Sequence, residues 1–493
     1  MFPPTTHDSR APDGLRNYRG AREGRRGQDR ACGDRGPNRH SHFPAAEPRG
    51  ISGSPRTHCL LHKPTSPEIL SLIFIFTLPA PNHTKASSVQ SESPWLVGQV
   101  CSFWREISLS CRSLWASPII CHYSIMSVAQ FDLQLARSGN TPLHPRVCGP
   151  PQSVFRLDLL KSLVKFSDRW ASLFLSFNWP AVQPQLASLK GNVRRLEELH
   201  IVGAWGDGSA ALSEGDRLKA FAIAPRLRTL SIVNICEPAV SLLLPWHQLT
   251  QYRAISGAHE HLAVLKLCPN LVNAHLVFRT TLTVTDNAPV SVRLPQLRKL
   301  HLANAESLRI MSLPVLEDIV LDQMVPENDA LLPLLSLTRR DNPPLSSISL
   351  FNGALVGPTL ITILEENPSI STLRIHIRRA DIAAVDALFL RLTIGATHTE
   401  CFAPNLVSLE LGGRGAFGQE RFLHMVQSRR RKQGSVPATC ECESIQRISL
   451  RMTQKAALSS ETVQGLGALA QGGMHLSMTT FSFFSDNFAD PYE

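Results

Sequence analysis

The residues most suggestive of chemistry are Gly413-x-Gly415-x-x-Gly418, which follow a strand pattern and open a helix pattern. Glycines at that spacing let a backbone approach a pyrophosphate at a helix N-terminus, as in dinucleotide binding. Such a unit also needs an acid at the end of the next strand to hold the ribose. That strand ends Leu450-Arg451-Met452, without an acid, so a turn between a repeat strand and a helix is the better account of the glycines. Cys440-Glu441-Cys442 is the only tight thiol pair, and no second pair completes a zinc site. Arg429-Arg430-Arg431-Lys432 ends the next helix pattern, where each cation gains about 0.3–1 kcal/mol from the dipole. That role outweighs a nuclear signal. The chain has no P-loop, no HExxH and no GxSxG, and its 18 histidines are dispersed. No catalytic residue, metal site or cofactor is expected.

Binding is then the natural reading, and composition limits its kind. Of 493 residues 43% are hydrophobic and 18% charged, enough to bury a core over most of the chain. Lys and Arg number 50 against 40 Asp and Glu, a net +10 that is mild for this length. It permits an acidic partner, and nucleic acid is an unlikely one. No membrane contact is expected, because the longest strongly apolar run, Leu70 to Leu78, stops at Pro79, short of a bilayer span. The N-terminus has no apolar core of a signal peptide, which leaves the sequon Asn82-His83-Thr84 idle. Eleven scattered cysteines, an odd number, fit reduced thiols and a cytoplasmic or nuclear setting.

The elements that would position a binding surface begin after a tail. Residues 1–60 read as a disordered basic segment; the first fifty hold ten Arg, no Lys and six acids among Gly and Pro. Ser66-Pro67-Glu68 is a helix start, with Ser as N-cap, Pro at the first helical position and an acid facing the dipole. Ile69, Leu70, Leu72, Ile73, Phe74, Ile75 and Phe76 follow, so apolar a helix that it must be covered on several sides. Ser93-Pro94 repeats the start signal. Leu96, Val100, Phe103/Trp104 and Ile107 then recur along one helical face, and Leu114-Trp115 begins a third short element. Three short helices of about 50 residues are too few to close a core alone.

PEILSLIFIFTLP and PWLVGQVCSFWREISLSCRSLWASPI together resemble an F-box of the kind abundant in mushroom-forming fungi, over residues 66–120. Val100-Cys101-x-x-Trp104-Arg105 followed by Leu114-Trp115 carries the resemblance. LQLARSGNTPLHPRV and LVSLELGGRGAFGQERFLHMVQSRRR are similar to later segments of the same proteins. One departure is that Thr65-Ser66 stand where the family has Leu-Pro. The resemblance implies docking of a Skp1-like adaptor and, through it, a cullin–RING ubiquitin ligase. Carried over by position, the contact residues would be Pro67, Ile69, Leu70, Ile73, Leu96, Val100, Cys101, Trp104, Leu114 and Trp115. Each could instead pack within the unit.

From about residue 155 an apolar triplet at i, i+3 and i+5 recurs. The copies are Leu196-Leu199-Ile201, Leu227-Leu230-Ile232, Leu249-Tyr252-Ala254, Leu271-Ala274-Leu276, Leu297-Leu300-Leu302, Leu316-Ile319-Leu321, Leu345-Ile348-Leu350, Ile370-Leu373-Ile375, Leu406-Leu409-Leu411 and Ile445-Ile448-Leu450. They start 19 to 39 residues apart, and most follow a proline, such as Pro225, Pro269 or Pro295. This is the core pattern of leucine-rich repeats. Residues i+3 and i+5 of each strand point inward and i+4 points to the other face. The i+4 row, His200, Ser231, Arg253, His275, His301, Val320, Ser349, Arg374, Glu410 and Ser449, would line the concave sheet and is fairly basic until Glu410. Trp170 and Trp179 are expected as core aromatics beneath the first repeats.

The expected fold is α/β: an N-terminal three-helix F-box, a linker over 121–154, an irregular leucine-rich-repeat solenoid over 155–475 (a curved parallel sheet with helices outside), and a C-terminal tail over 476–493. The expected function is non-enzymatic: the substrate-recognition subunit of a Skp1–cullin–F-box ubiquitin ligase, capturing an unknown protein on the repeat face. The alternative is a repeat-based interaction scaffold with a degenerate F-box.

Overall fold

The computed structural model describes residues 66–78, 94–117, 119–121, 126–148, 156–177, 184–189, 191–203, 219–233, 242–278, 291–303, 305–322, 330–351, 357–377, 382–394, 402–413, 417–430, 442–453 and 458–481. The expected basic tail, the sequon, Trp179 and Cys440 lie outside the described residues.

The dominant element is one fourteen-stranded sheet whose strands run in chain order and pair in parallel throughout. Its strands are β1 (Ile119–Cys121), β2 (Arg146–Cys148), β3 (Ser172–Phe177), β4 (Glu198–Gly203), β5 (Thr229–Val233), β6 (Gln251–Ser256) and β7 (Asn273–Phe278). They continue as β8 (Lys299–Leu302), β9 (Asp318–Asp322), β10 (Ser347–Phe351), β11 (Thr372–Ile377), β12 (Ser408–Gly413), β13 (Arg447–Thr453) and β14 (His475–Phe481). Two shorter strands, Val292–Arg293 and Met311–Ser312, pair separately.

All ten apolar triplets of the sequence are buried together in one core, including the weak copies Leu249-Tyr252-Ala254 and Leu271-Ala274-Leu276. The i residue sits in the turn ahead of each strand and i+3 and i+5 lie on its inner face. At the foot of ten strands one carbonyl accepts two N–H groups from the next repeat: Ala171 takes those of Glu197 at 2.8 Å and Glu198 at 3.2 Å. The same fork recurs at Glu197, Arg228, Thr250, Val272, Arg298, Glu317, Ser346, Ser371 and Val407, which keeps successive strands in register. Helices on the crossovers supply the opposite wall of the core. Leu334 and Leu337, Leu360 and Ile363, Leu388 and Phe389, and Phe422 and Met425 all join the strand residues.

Two boundaries differ from the expectation. Residues 121–154 are not a linker: β1, a helix α3 (Val128–Arg137) and β2 already belong to the repeat sheet, which starts at Ile119. The triplet is unreadable there because Pro145 stands at the i+3 place of β2, in register with Leu173 and Leu199. The C-terminal tail does not begin at 476, since β14 adds a last strand through Phe481. Gly473 occupies its i position, so no triplet announces it.

Ahead of the sheet lies the small helical unit. Helix α1 (Pro67–Phe76) starts as its sequence implies: the Ser66 hydroxyl accepts from the Ile69 N–H at 3.4 Å, Pro67 takes the first position, and the helix stops at Thr77. A single 3₁₀ turn (Val97–Gln99) precedes α2 (Ser102–Ser110), and a second (Arg112–Trp115) follows it. The expected stripe Leu96, Val100, Trp104, Ile107 is broken. Cys101 is extended and caps α2 with its sulfur on the Trp104 N–H, which puts Leu96 and Val100 outside the helix. Val97 is buried in their stead.

Leu70, Phe74, Val97, Ile107, Leu114 and Trp115 make the unit's core. Trp115 donates its indole N–H to the Ser108 carbonyl at 2.7 Å. The unit is fastened to the sheet by α3: the Arg137 guanidinium lies 4.5 Å over Trp115 and 5.1 Å over Trp95. Trp95 packs against both cores, and the Ala116 carbonyl accepts the His144 N–H at 2.9 Å.

Candidate functional site

The glycine motif does not form an anion cradle in the described residues. Gly418 caps the helix that begins at Gln419, and its N–H is already bound by the Asp386 carboxylate at 2.8 Å. Glycine is needed there because a Cβ would meet that carboxylate at 2.5 Å. Residues 414–416 lie outside the description. Of the cations at the end of this helix, Arg429 and Arg430 are described, and both bind backbone carbonyls. Arg429 is buried and donates to the carbonyls of Leu392, Ala403 and Phe402, and Arg430 donates to that of Gly472 at 2.6 Å. Among the described residues no three His, Cys, Asp or Glu side chains are placed to hold a metal, and no helix is long and apolar enough to cross a membrane.

Two surfaces remain. The first belongs to the helical unit. Ile69, Leu72, Ile73 and Phe76 fall at i, i+3, i+4 and i+7 of α1 and share one face, each between 45% and 86% exposed. Among the described residues the full covering expected for so apolar a helix is not supplied: only Leu70 and Phe74 turn inward. Leu96, Val100, Phe103 and Leu109 add further exposed apolar side chains on the elements beside it. Of the ten expected contact residues, Pro67, Ile69, Ile73, Leu96, Val100 and Cys101 are exposed. Trp104 is half-buried, its ring 5.0 Å from that of Phe74. Leu70, Leu114 and Trp115 are buried and support the surface from beneath. Sequence reasoning missed Leu72, Phe76 and Phe103; the i, i+3, i+4, i+7 spacing from Ile69 was the signal for the first two.

The second surface is the outer face of the sheet. Cα register places the ten i+4 residues in one unbroken column, His200 beside Ser231, then Arg253, His275, His301, Val320, Ser349, Arg374, Glu410 and Ser449. Ile119, Arg146 and Phe174 extend it at one end and Ser477 at the other. The column is not uniformly open: Ser231, His301, Val320 and Ser349 are buried, while Arg253 is exposed.

Three groupings stand out along it. Near the start, His144 Nδ1 lies 2.9 Å from Ser172 Oγ and His200 Nε2 lies 3.7 Å from Glu198. The neighbouring His200 holds the Glu198 carboxyl below its usual range, although burial opposes it. In the middle, the rings of His275 and His301 stack at 3.9 Å and 14°. Burial, aided by His301 and Arg253, pushes His275 down to about 3, so His275 is neutral.

Towards the end, Glu410 sits among His376 at 3.4 Å, Arg374 at 3.6 Å and Arg451 at 3.9 Å. Burial would raise its carboxyl, but His376, Arg451 and Arg374 together hold it below the usual range. The His376 ring stacks on Phe351 at 4.5 Å and passes over Gly412, where a Cβ would come within 2.6 Å of it. Sequence reasoning found Arg374 and Glu410 but missed His376, Gly412 and Arg451, which lie two residues further along their strands and face the same way.

No protein-family model matches this chain, and no curated protein matches it significantly. Among solved structures, a Bacteroides fragilis protein shares 14% identity over 65% of this chain and 69% of its own, with a TM-score of 0.24. A likeness at that level carries no argument about function.

Proposed function

We propose that the chain is a non-enzymatic adaptor: an F-box-like helical unit that docks a Skp1-like protein and so a cullin ubiquitin ligase, followed by a leucine-rich-repeat solenoid that captures a protein on its sheet face. The observation that carries this reading is the uncovered apolar face of α1, with Ile69, Leu72, Ile73 and Phe76 all exposed beside a core that is otherwise closed. Soluble surfaces seldom leave large apolar side chains grouped in this way unless something covers them. A helical partner laid across that face is the matching mode of recognition. The Thr65-Ser66 departure, which favoured a degenerate unit, costs the helix nothing at Ser66, because Ser66 serves as its N-cap.

The test is binding of the purified full chain to purified Skp1. Ile73→Asp with Val100→Asp, both at exposed positions, is expected to weaken binding about a hundredfold or more while leaving the thermal transition in place. Wild-type protein that ignores Skp1 would leave only a repeat scaffold.

A further inference from the structure

We propose that Cys121 and Cys148 are a redox-sensitive thiol pair, which a hydroperoxide converts to a disulfide that staples the first strand of the sheet to the second. Such a pair does not depend on the adaptor reading.

The two residues are far apart in the chain and meet through strand pairing. β1 and β2 run parallel with Cys121 in register opposite Cys148, two residues beyond Ile119 and Arg146. The period of two places both on the outer face, beside the column that Ile119 and Arg146 extend, while Val147 is buried. Paired strands lie about 4.8 Å apart, inside the Cα separation of about 4.4–6.8 Å that a disulfide spans. Among the described residues β1 is a three-residue end strand with β2 as its one neighbour in the sheet, so it can adjust to the bond. The bond would close residues 121–148 into a loop that contains α3, whose Arg137 fastens the helical unit. Oxidation therefore tightens the joint between the helical unit and the sheet.

Surroundings set Cys148 apart from a structural thiol. Cys268 is buried in the core, and burial pushes its thiol up to about 12, where it is inert. Cys148 is half-buried on the outer face. The Arg146 guanidinium, buried and 5.1 Å over the Phe174 ring, interacts with it electrostatically. A fixed cation favours the thiolate, which is the attacking form. The Cys148 thiolate attacks one peroxide oxygen, the O–O bond breaks, and the departing oxygen takes up a proton as water or an alcohol. The Cys121 thiol then attacks the sulfenic sulfur of Cys148: the S–S bond forms, the S–O bond breaks and water leaves. In all, the two thiols lose two electrons and two protons, and the peroxide gains them.

In the experiment the full chain is treated with hydrogen peroxide, alkylated and mapped by peptide mass spectrometry. The main cross-link is expected to join Cys121 to Cys148 and to be reversed by dithiothreitol. With it, hydrogen exchange in β1 and α3 should slow about tenfold while that in β10 stays unchanged. Cys121→Ser should leave a sulfenic acid on Cys148 that dimedone traps, and Cys148→Ser should leave Cys121 unmodified at the same dose. Mapping of the wild-type chain needs no substitution, so the proposal can fail even where a serine variant does not fold. Both cysteines still alkylated after peroxide, or a main cross-link between other cysteines such as Cys440 and Cys442, overturns it. So does unchanged exchange in β1 and α3, or a sulfenic acid trapped on Cys121 in place of Cys148. Skp1 binding is measured separately and decides the adaptor reading alone.

Discussion

The helical unit and the repeat sheet are built from equally apolar residues and finish differently. In the sheet every triplet residue of all ten recognised copies is buried, because the neighbouring strands and the crossover segments close over it. In α1 four of the seven large apolar side chains stay at least 45% exposed, because only one side has neighbours. A stacked repeat always finds the next repeat to cover it, whereas a lone short helix does not. The sheet is left with a mostly polar outer face, and the described part of the helical unit with an exposed apolar one.

The largest effect expected from this difference is on truncation. Leu350→Ala, at a fully buried site in β10, should cost about 2–5 kcal/mol in chemical denaturation. Phe76→Ala, at 86% exposure, should change stability by no more than about 0.5 kcal/mol. A Phe76 variant as damaging as the Leu350 one would mean that the face of α1 is covered within the chain, and the comparison would collapse.

The two regions also differed in how openly the sequence displayed them. The triplets Leu196-Leu199-Ile201 through Ile445-Ile448-Leu450 place ten strands and their outer column, since a period of two within a strand determines which side each residue faces. The pattern fails at the ends: Pro145 and Gly473 remove the apolar mark from β2 and β14, although backbone pairing there proceeds unaltered. Within the helical unit the helix start at Ser66 was legible from capping chemistry. Which of Leu70 or Ile73 is core was not: spacing groups Ile69, Leu72, Ile73 and Phe76 on one face and Leu70 with Phe74 on another, but both faces are apolar and nothing says which is covered. Leu114 and Trp115 sit in a single 3₁₀ turn, too short to carry a period. The grouping of Arg374, His376, Glu410 and Arg451 spans three strands and depends on register, which no local spacing encodes.

A second contrast is histidine-linked pH dependence, which should belong to the sheet, since the described part of the helical unit contains no histidine. His275, facing His301 and Arg253, is held at about 3 by burial first and by those neighbours second. His261, in the core against Tyr252 and Phe278, is lowered by burial to about 4. Both refuse a proton that the unfolded chain accepts below about 6.5. Their contribution is complete above that pH and is lost as pH falls from about 6.5 toward 4 and 3, at about 1.4 kcal/mol per unit for each group. Urea midpoints across that window should fall with acid, and His275→Gln should remove about half of the slope. An unchanged slope would mean that His275 is hydrated.

The junction tests whether the regions are mechanically one. Arg137→Ala removes the guanidinium lying over Trp95 and Trp115 and should loosen the helical unit by about 1 kcal/mol. Hydrogen exchange should then quicken in α2 and not in β10 or β11. Uniform quickening would show that the sheet depends on the helical unit for its own stability.

The smallest effect is expected at Glu410, and its size is itself informative. A carboxyl held below its usual range adds stability above the unfolded pKa, and this is lost as pH falls through the folded value. Because the contacts to Arg374, Arg451 and His376 are long and the arginines are well exposed, screening should keep that contribution under about 1 kcal/mol. Glu410→Gln should therefore flatten the acid limb of the stability curve only slightly. A larger loss would make Glu410 a structural keystone whose arginines are spent on folding. A small loss leaves both guanidiniums oriented and uncommitted to folding, as the proposed capture surface requires.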